Sequence, residues 1–249
     1  MSTPIDAYVA AMRPIPAGRF RRGNDRPPAP RTAPGMFATE APAHPVAVSA
    51  FRMGATPVTV GLWRNYVAAH EGLRMPAAPD WGWVDAHPMV RVRWDEAVAF
   101  ARWASRSTGT TLRLPTEAEW EWCARSGGGD AVFPWGAAWD PTRLWCSARR
   151  VGDAGRTAAV DRLDRRHVNR WGVSDLVGNV AQWCADWHGP YPAATRVARD
   201  PRGPATGRFR VMRGGSWALW DPLHFRCVSR TWFVPGDADA TIGFRLAAD

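Results

Sequence analysis

The sequence lacks the short patterns that identify many metal and redox sites. It has only four cysteines and six histidines, with no CxxC pair and no HxxxH or HExxH spacing, so a structural zinc site is not expected. It also lacks any apolar run near the ~18–20 residues that span a bilayer, and it does not open with a cationic segment followed by an apolar one. We therefore expect a cytoplasmic protein without a membrane segment, whose thiols are reduced and mostly buried.

Basic residues outnumber acidic ones, with 32 Lys+Arg against 23 Asp+Glu, but they form no recognisable nucleic-acid motif. Short basic clusters occur at 19–22 and 162–166, and the remaining basic residues are scattered rather than aligned on one helix face. The excess positive charge therefore indicates an arginine-biased composition. A nucleic-acid partner is not expected, which leaves a small molecule, a peptide or a protein as the candidate ligand.

Glycine, proline and tryptophan are abundant, and this composition predicts short elements joined by irregular loops. The 249 residues include 23 Gly, 22 Pro and 16 Trp. So many helix-breaking residues disfavour long helices. The hydrophobic fraction of 46% is sufficient for one domain with a substantial core. We predict an α+β fold made of short helices and small antiparallel sheets.

Three segments carry helix signals. Thr59 can cap a short helix, residues 95–105 have helical spacing with a cap at Trp94 or Asp95, and Thr116 begins a capping box. Short strands are predicted at 15–20, 44–53, 180–186, 209–213, 224–229 and 243–246.

Six stretches occur in a fixed order along the chain: IPAGRF at 15–20, PVTV at 57–60, RLPTEAEWEW at 113–122, DLVGNVAQW at 175–183, RGGSW at 213–217 and IGFRL at 242–246. Together they resemble the formylglycine-generating-enzyme family, also called the sulfatase-modifying-factor family. The resemblance implies a C-type-lectin-like fold, elaborated and rich in loops. It implies one such domain over residues 13–249, preceded by an N-terminal extension of residues 1–12.

Enzymes of this family oxidise a cysteine in a sulfatase peptide with oxygen and copper, and two cysteines shortly after the RGGS motif hold the metal. Soft thiolates suit Cu(I), but here the first cysteine position is Leu219, and the second falls at Leu223 or His224. The resemblance therefore implies a divergent oxidoreductase that acts on a small molecule or peptide, without copper. Formylglycine generation is not expected. Ser216, His224 and Cys227 are the catalytic candidates in this segment.

The tail resembles two other branches of the family, the ergothioneine-type sulfoxide synthases and the variable proteins of diversity-generating retroelements. The variable proteins diversify the interval that corresponds to residues 218–241 here, which favours a non-catalytic ligand-binding protein as the alternative function. We expect this interval to form an exposed, irregular surface between its two anchoring motifs. The expected ligand contacts are Trp217, Leu219, Trp220, Arg226, Arg230, Phe233 and Asp237. Structural ion pairs are the competing role for Arg226 and Arg230.

The resemblance also implies a calcium site within DLVGNVAQ. Asp175 would give a carboxylate oxygen, while Gly178 and Val180 would give carbonyl oxygens. Gln182 stands where the family usually has Glu, which leaves one carboxylate fewer for a hard cation. Calcium is therefore the one cofactor to be expected, and a metal-free loop held by hydrogen bonds is the alternative.

Overall fold

The computed structural model describes residues 2–28, 35, 37–148, 155–160 and 167–249. The basic cluster at 162–166 lies outside these residues. Within the described part, four α-helices and eleven short strands are connected by loops and 3-10 turns, so the structure is α+β and loop-rich, as predicted. No described helix is long and apolar enough to cross a membrane.

The four helices begin at the capping signals or close to them. They are α1 (Pro4–Ala10), α2 (Val60–Ala68), α3 (Trp94–Thr108) and α4 (Glu117–Ala124). The hydroxyls of Thr59 and Thr116 accept hydrogen bonds from backbone N–H groups in the first turns of α2 and α4, which confirms both predicted caps. Helix α3 begins one residue earlier than predicted. The Glu96 carboxylate accepts a hydrogen bond from the backbone N–H of Arg93 at 2.9 Å, so Arg93 is the cap.

The strands form three small sheets. They are β1 (Arg13–Ile15), β2 (Gly18–Arg22), β3 (His44–Val48), β4 (Phe51–Met53), β5 (Leu112–Arg113), β6 (Ala181–Trp187), β7 (Ala198–Arg199), β8 (Arg210–Arg213), β9 (Arg230–Phe233), β10 (Ile242–Gly243) and β11 (Ala247–Ala248). Their orders are β1-β4-β11-β5, β2-β3-β7 and β10-β6-β8-β9. We call the last of these the central sheet, because the candidate site lies on it.

Two strand predictions in the C-terminal part are wrong. Residues 224–229 form no strand. A 3-10 helix spans Pro222–Phe225, with the Asp221 carboxylate accepting a hydrogen bond from the Leu223 N–H, and β9 begins only at Arg230. Residues 243–246 likewise do not form one strand. Strand β10 pairs in parallel with β6, whereas β11 joins another sheet between β4 and β5.

The hydrophobic core consists of two clusters of buried side chains. The first lies around α2 and α3 and includes Trp63, Phe100 and Phe244. The second lies around α4 and the strands beside it. Helix α1, which falls within the segment predicted to be an extension, buries Ile5 and Tyr8 in the first cluster. The Tyr8 hydroxyl also donates a hydrogen bond to the Thr56 carbonyl at 3.0 Å, so this helix is tied to the body of the fold.

Candidate functional site

A cavity lies against the apolar face of the central sheet. The register pairs Met212 of β8 with Thr231 of β9, and Ala181 of β6 projects from the same face because alternate residues of a strand share a face. With the turn after β8, this face encloses about 280 Å³, close to the lower end of the ~300–1,000 Å³ typical of small-molecule sites. We call it the Ser216 cavity, because Ser216 forms part of its wall.

Two glycines shape the turn that leads into this cavity. Gly214 has φ +98° and Gly215 has φ +64°, a region that residues with a side chain rarely adopt. A Cβ on Gly214 would lie 2.4 Å from the Leu176 carbonyl oxygen, and one on Gly215 would lie 2.9 Å from the Phe225 ring. The two glycines of RGGSW are therefore required by both backbone conformation and space, and they bring Ser216 to the cavity wall.

Two of the three catalytic candidates meet at the cavity. Ser216 and His224 both line it, whereas Cys227 does not. Burial lowers the pKa of His224, so the imidazole is neutral at pH 7, and its buried Nδ1 has no hydrogen-bond partner among the described residues. Burial raises the pKa of the Cys227 thiol to about 12, so this thiol stays protonated and unreactive.

The cavity wall does not offer the donor set that copper requires. Leu219, at the first cysteine position implied by the resemblance, lines the cavity with an aliphatic side chain, and no cysteine lines it. All four cysteines are buried and unbridged. The polar groups in the wall are the hydroxyls of Ser216 and Thr231, the His224 imidazole and the Asp239 carboxylate, among others. Soft thiolates are absent from this set, so the site does not fit Cu(I).

The predicted ligand contacts fall into four groups. Leu219 and Phe233 line the Ser216 cavity. Trp220 is 69% exposed and Asp237 is exposed. Trp217 is half-buried: its Nε1 donates to the Ala240 carbonyl at 3.0 Å and its ring meets Trp81 edge to face.

The remaining two predicted contacts, Arg226 and Arg230, do not line the Ser216 cavity and are buried. Arg226 binds both carboxylate oxygens of Glu40, at 2.7 and 2.8 Å, and Arg230 does the same with Glu117, at 2.8 and 2.9 Å. Residues 225–230 are all buried. The interval 218–241 is therefore an exposed surface only at its two ends, because its centre crosses the core to reach these carboxylates.

The other face of the central sheet, which we call the charged face, holds a buried ionic network. Glu117 pairs with Arg22 and Arg230 and lies 3.6 Å from Arg213, which also binds Glu121 at 2.6 Å. Burial alone would raise the pKa of Glu117, but the three guanidinium groups hold it down at about 2. These charges therefore stabilise one another inside the fold.

Asp186 of β6 adjoins this network without a full set of partners. Its Oδ2 accepts a hydrogen bond from the Glu117 N–H at 2.8 Å, while its buried Oδ1 has none among the described residues. Burial raises the pKa of Asp186 to about 7.

Two of the four residues expected to bind calcium, Asp175 and Gln182, accept hydrogen bonds from Arg245. The Gln182 side-chain oxygen accepts hydrogen bonds from Arg245 at 2.6 Å and from Trp120 at 3.0 Å. The Asp175 carbonyl oxygen accepts from Arg245 and from the Gln182 amide, both at 2.9 Å. The same amide lies 3.4 Å from the Val180 carbonyl oxygen. The Asp175 carboxylate, which is the donor expected for calcium, accepts a hydrogen bond from the Asn179 side chain at 2.9 Å. The Arg245 guanidinium places positive charge beside this group, which disfavours a cation there, and the calcium site stays a prediction.

Sequence reasoning missed much of the cavity wall. Ala181, Met212 and Thr231 were not singled out, although alternation within 180–186 and 209–213 does predict which residues share a face. The missing information is the strand pairing, because the sequence predicts this strand at 224–229, six residues before β9 begins. Without that register, Thr231 could not be assigned to the same face as Met212.

Comparisons with known proteins agree on one family. The model of the sulfatase-modifying factor enzyme 1-like domain matches residues 4–249. The formylglycine-generating enzyme of Thermomonospora curvata is 40% identical over 180 residues, which cover 66% of this chain and 56% of the relative. The hercynine oxygenase of Mycolicibacterium smegmatis is 32% identical over 273 residues, which cover 94% of this chain and 60% of the relative. The chain thus spans a little over half the length of these two relatives.

Two solved structures resemble the whole chain. PvdO from Pseudomonas aeruginosa superposes with a TM-score of 0.80 and 27% identity, covering 96% of this chain and 94% of that one. Treponema denticola variable protein 1 superposes with a TM-score of 0.75 and 25% identity, covering 95% of this chain and 94% of that one.

Proposed function

Because the chain belongs to the family of sulfatase-modifying factor enzyme 1-like domains and has its C-type-lectin-like fold, we propose that it is a divergent oxidoreductase of that family. It takes a small molecule or a peptide side chain into the Ser216 cavity. The observation that carries the proposal is the cavity itself, which is formed at the RGGSW turn and whose polar lining consists of hydroxyls, one imidazole and one carboxylate rather than thiols. Its similarity to hercynine oxygenase supports an oxidoreductase role outside formylglycine generation.

The polar groups of the wall are suited to hydrogen bonding with a ligand. The Ser216 and Thr231 hydroxyls can orient a bound ligand, since each can donate or accept a hydrogen bond. Burial lowers the pKa of His224, so the imidazole is neutral at neutral pH and one ring nitrogen can accept a hydrogen bond from a thiol or an ammonium group of the ligand. The proposed chemistry involves no thiolate-bound copper.

The proposal predicts that the protein does not generate formylglycine. A peptide containing Cys-x-Pro-x-Arg, incubated with copper and oxygen, should keep its cysteine, since Leu219 cannot bind Cu(I). Mass spectrometry of the peptide checks this, with the Thermomonospora curvata enzyme as the positive control. Appearance of the aldehyde product with this protein would contradict the prediction.

Oxygen uptake tests the proposed activity. The substrates are hercynine with cysteine, cysteine alone and the same peptide, each measured with and without added ferrous iron. Thr231→Trp fills the cavity and should abolish any uptake, whereas Thr231→Val keeps nearly the same volume and should retain most of it. Both variants must first show the wild-type melting curve. The proposal fails if no substrate supports uptake, or if Thr231→Trp leaves the rate unchanged.

The exposed ends of residues 218–241 favour a second function, binding without catalysis. Trp220, Trp232 and Val234 are exposed apolar side chains, and Treponema denticola variable protein 1 has the same fold. Exposed aromatic side chains on a rigid scaffold suit protein recognition. A reverse-transcriptase gene and a near-copy of the 3′ end beside this gene would support this function, while a biosynthetic cluster would support the oxidoreductase.

A further inference from the structure

A second cavity, of about 350 Å³, lies between helix α3, strand β5 and strand β6, away from the Ser216 cavity. Its floor is apolar and is contributed by Trp94, Val98, Ala101, Leu112, Leu114 and Ala185. None of these residues lines the Ser216 cavity. The size lies within the roughly 300–1,000 Å³ of small-molecule sites.

The charged residues that line this cavity all carry positive charge. They are Arg102, Arg113 and Arg202, and the lining includes no Asp or Glu. Arg113 is neutralised by Glu119 and Asp249, at 2.7 and 2.5 Å. Among the described residues, no carboxylate lies within ion-pair distance of Arg102 or Arg202, and both are exposed at the rim. Two uncompensated guanidinium groups therefore border an apolar floor.

A third cation lies directly behind the wall. The Arg210 guanidinium is held between the Trp94 and Trp187 rings, 3.6 Å from each ring centroid, and donates a hydrogen bond to the Ala185 carbonyl at 2.6 Å. No described carboxylate pairs with it. Burial lowers the pKa of Arg210 to about 10, so it remains charged at neutral pH. Trp94 and Ala185 also line the cavity, so this charge adds to the positive potential there.

We propose that this cavity, the Arg102 cavity, is a second binding site and takes an amphipathic organic anion, with its hydrocarbon part on the apolar floor and its carboxylate between Arg102 and Arg202. An amine would meet like charge at the rim, and a neutral hydrocarbon would leave both guanidinium groups without a partner. The site is independent of the chemistry at the Ser216 cavity, so its test does not depend on the oxidoreductase proposal.

Three probes that share one chain and differ in charge test the site: octanoate, octanol and octylamine. Titration of the full-length protein, followed by tryptophan fluorescence and calorimetry, should give octanoate the lowest Kd. The double variant Arg102→Glu/Arg202→Glu should weaken octanoate binding about tenfold, since each reversal replaces attraction by repulsion at a partly exposed pair. Octanol binding should change less than about twofold in the same variant.

Arg19→Glu/Arg208→Glu is the matched control, because both residues are exposed, neither lines the cavity, and the change in net charge is the same. It should leave the Kd of octanoate within about twofold. The proposal is overturned if octylamine binds as tightly as octanoate, or if the control weakens octanoate as much as the rim variant does. It is also overturned if the rim variant changes the oligomeric state in size-exclusion chromatography with light scattering, because a second copy would then be the occupant.

Discussion

The two faces of the central sheet use the same strands but hold opposite kinds of side chain. On one face, Arg213 and Arg230 are buried in an ionic network with α4, and the buried Asp186 adjoins it. On the other face, Met212 and Thr231 border the Ser216 cavity. Successive side chains of a strand point to opposite faces, so neighbours in sequence serve different purposes. In this sheet the charged face packs against α4, whereas the apolar face packs Trp183 into the first core cluster and borders the Ser216 cavity at Met212 and Thr231.

This difference explains why charge was a poor guide to the site. Arg226 and Arg230 were predicted to contact a ligand, yet each is fully engaged by a carboxylate inside the protein. A buried charge requires a partner and hydrogen bonds, and both conditions are met here without a ligand. The Ser216 cavity is lined instead mostly by small, aliphatic and hydroxyl side chains.

The largest effect should follow from removing Glu117 on the charged face. Glu117→Ala leaves Arg22, Arg213 and Arg230 without their shared carboxylate, and should lower the free energy of unfolding by about 5 kcal/mol, the upper part of the range for breaking a buried pair. Guanidinium unfolding followed by tryptophan fluorescence measures it. Glu71→Ala, at an exposed residue, should change it by less than about 0.5 kcal/mol. Similar values for the two variants would mean that the network contributes nothing.

A smaller loss of stability should distinguish a phenylalanine in the core from one at the cavity. Phe244 is fully buried and meets Phe100 and Trp63 edge to face, so Phe244→Ala should cost about 3–5 kcal/mol of stability. Phe233 is only partly buried at the Ser216 cavity, so Phe233→Ala should cost about 1 kcal/mol. Thermal and chemical unfolding of both variants provide the comparison. If Phe233→Ala proved equally damaging, the apolar face would be core rather than a site.

The charged face should also make stability depend on pH. The folded-state pKa of Asp186 is about 7, above its ordinary value of 3.8. Between these values the folded protein holds a proton on Asp186 that the unfolded chain has released, so the contribution of Asp186 to stability should fall as pH rises from about 4 to 7 and then level off. His188, whose pKa burial lowers to about 4, contributes in the opposite sense over the same range. Asp186→Asn should remove the contribution of Asp186 and raise stability at pH 8, so the variant should gain stability relative to wild type as pH rises from about 4 to 7. Glu117 acts in the opposite sense, since its pKa of about 2 gives stability that is lost as pH falls below about 4.

Unfolding curves recorded at several pH values distinguish the two carboxylates. Asp80→Asn, at an exposed residue, is the control and should keep the wild-type slope. A stability difference between wild type and Asp186→Asn that stays constant from pH 4 to 7 would contradict the assignment to Asp186.

The smallest effect is expected from calcium. Arg245 already binds the side-chain oxygen of Gln182 and the carbonyl oxygen of Asp175, so the melting temperature should be the same with calcium and with a chelator. A higher melting temperature in calcium, lost in Asp175→Ala, would show that the cation displaces or adds to the arginine.

The sequence alone determined the family, the α+β class and local features such as helix caps and turn glycines. The caps at Thr59 and Thr116 depend on side chains that bond to their own backbone neighbours, so they could be predicted residue by residue. The glycines of RGGSW could be predicted in the same way, since their backbone conformation excludes other residues.

Only the tertiary structure decided which side chains meet. Arg226 binds Glu40 across 186 positions, Arg230 binds Glu117 across 113, and Arg245 binds Gln182 across 63. No local pattern encodes such pairs, because they depend on how distant strands are registered and which face each residue then occupies. The register of β9 against β8 places Thr231 beside Met212 in the cavity wall and Arg230 beside Arg213 in the ionic network. The same strand therefore supplies both the candidate site and part of the framework beneath it.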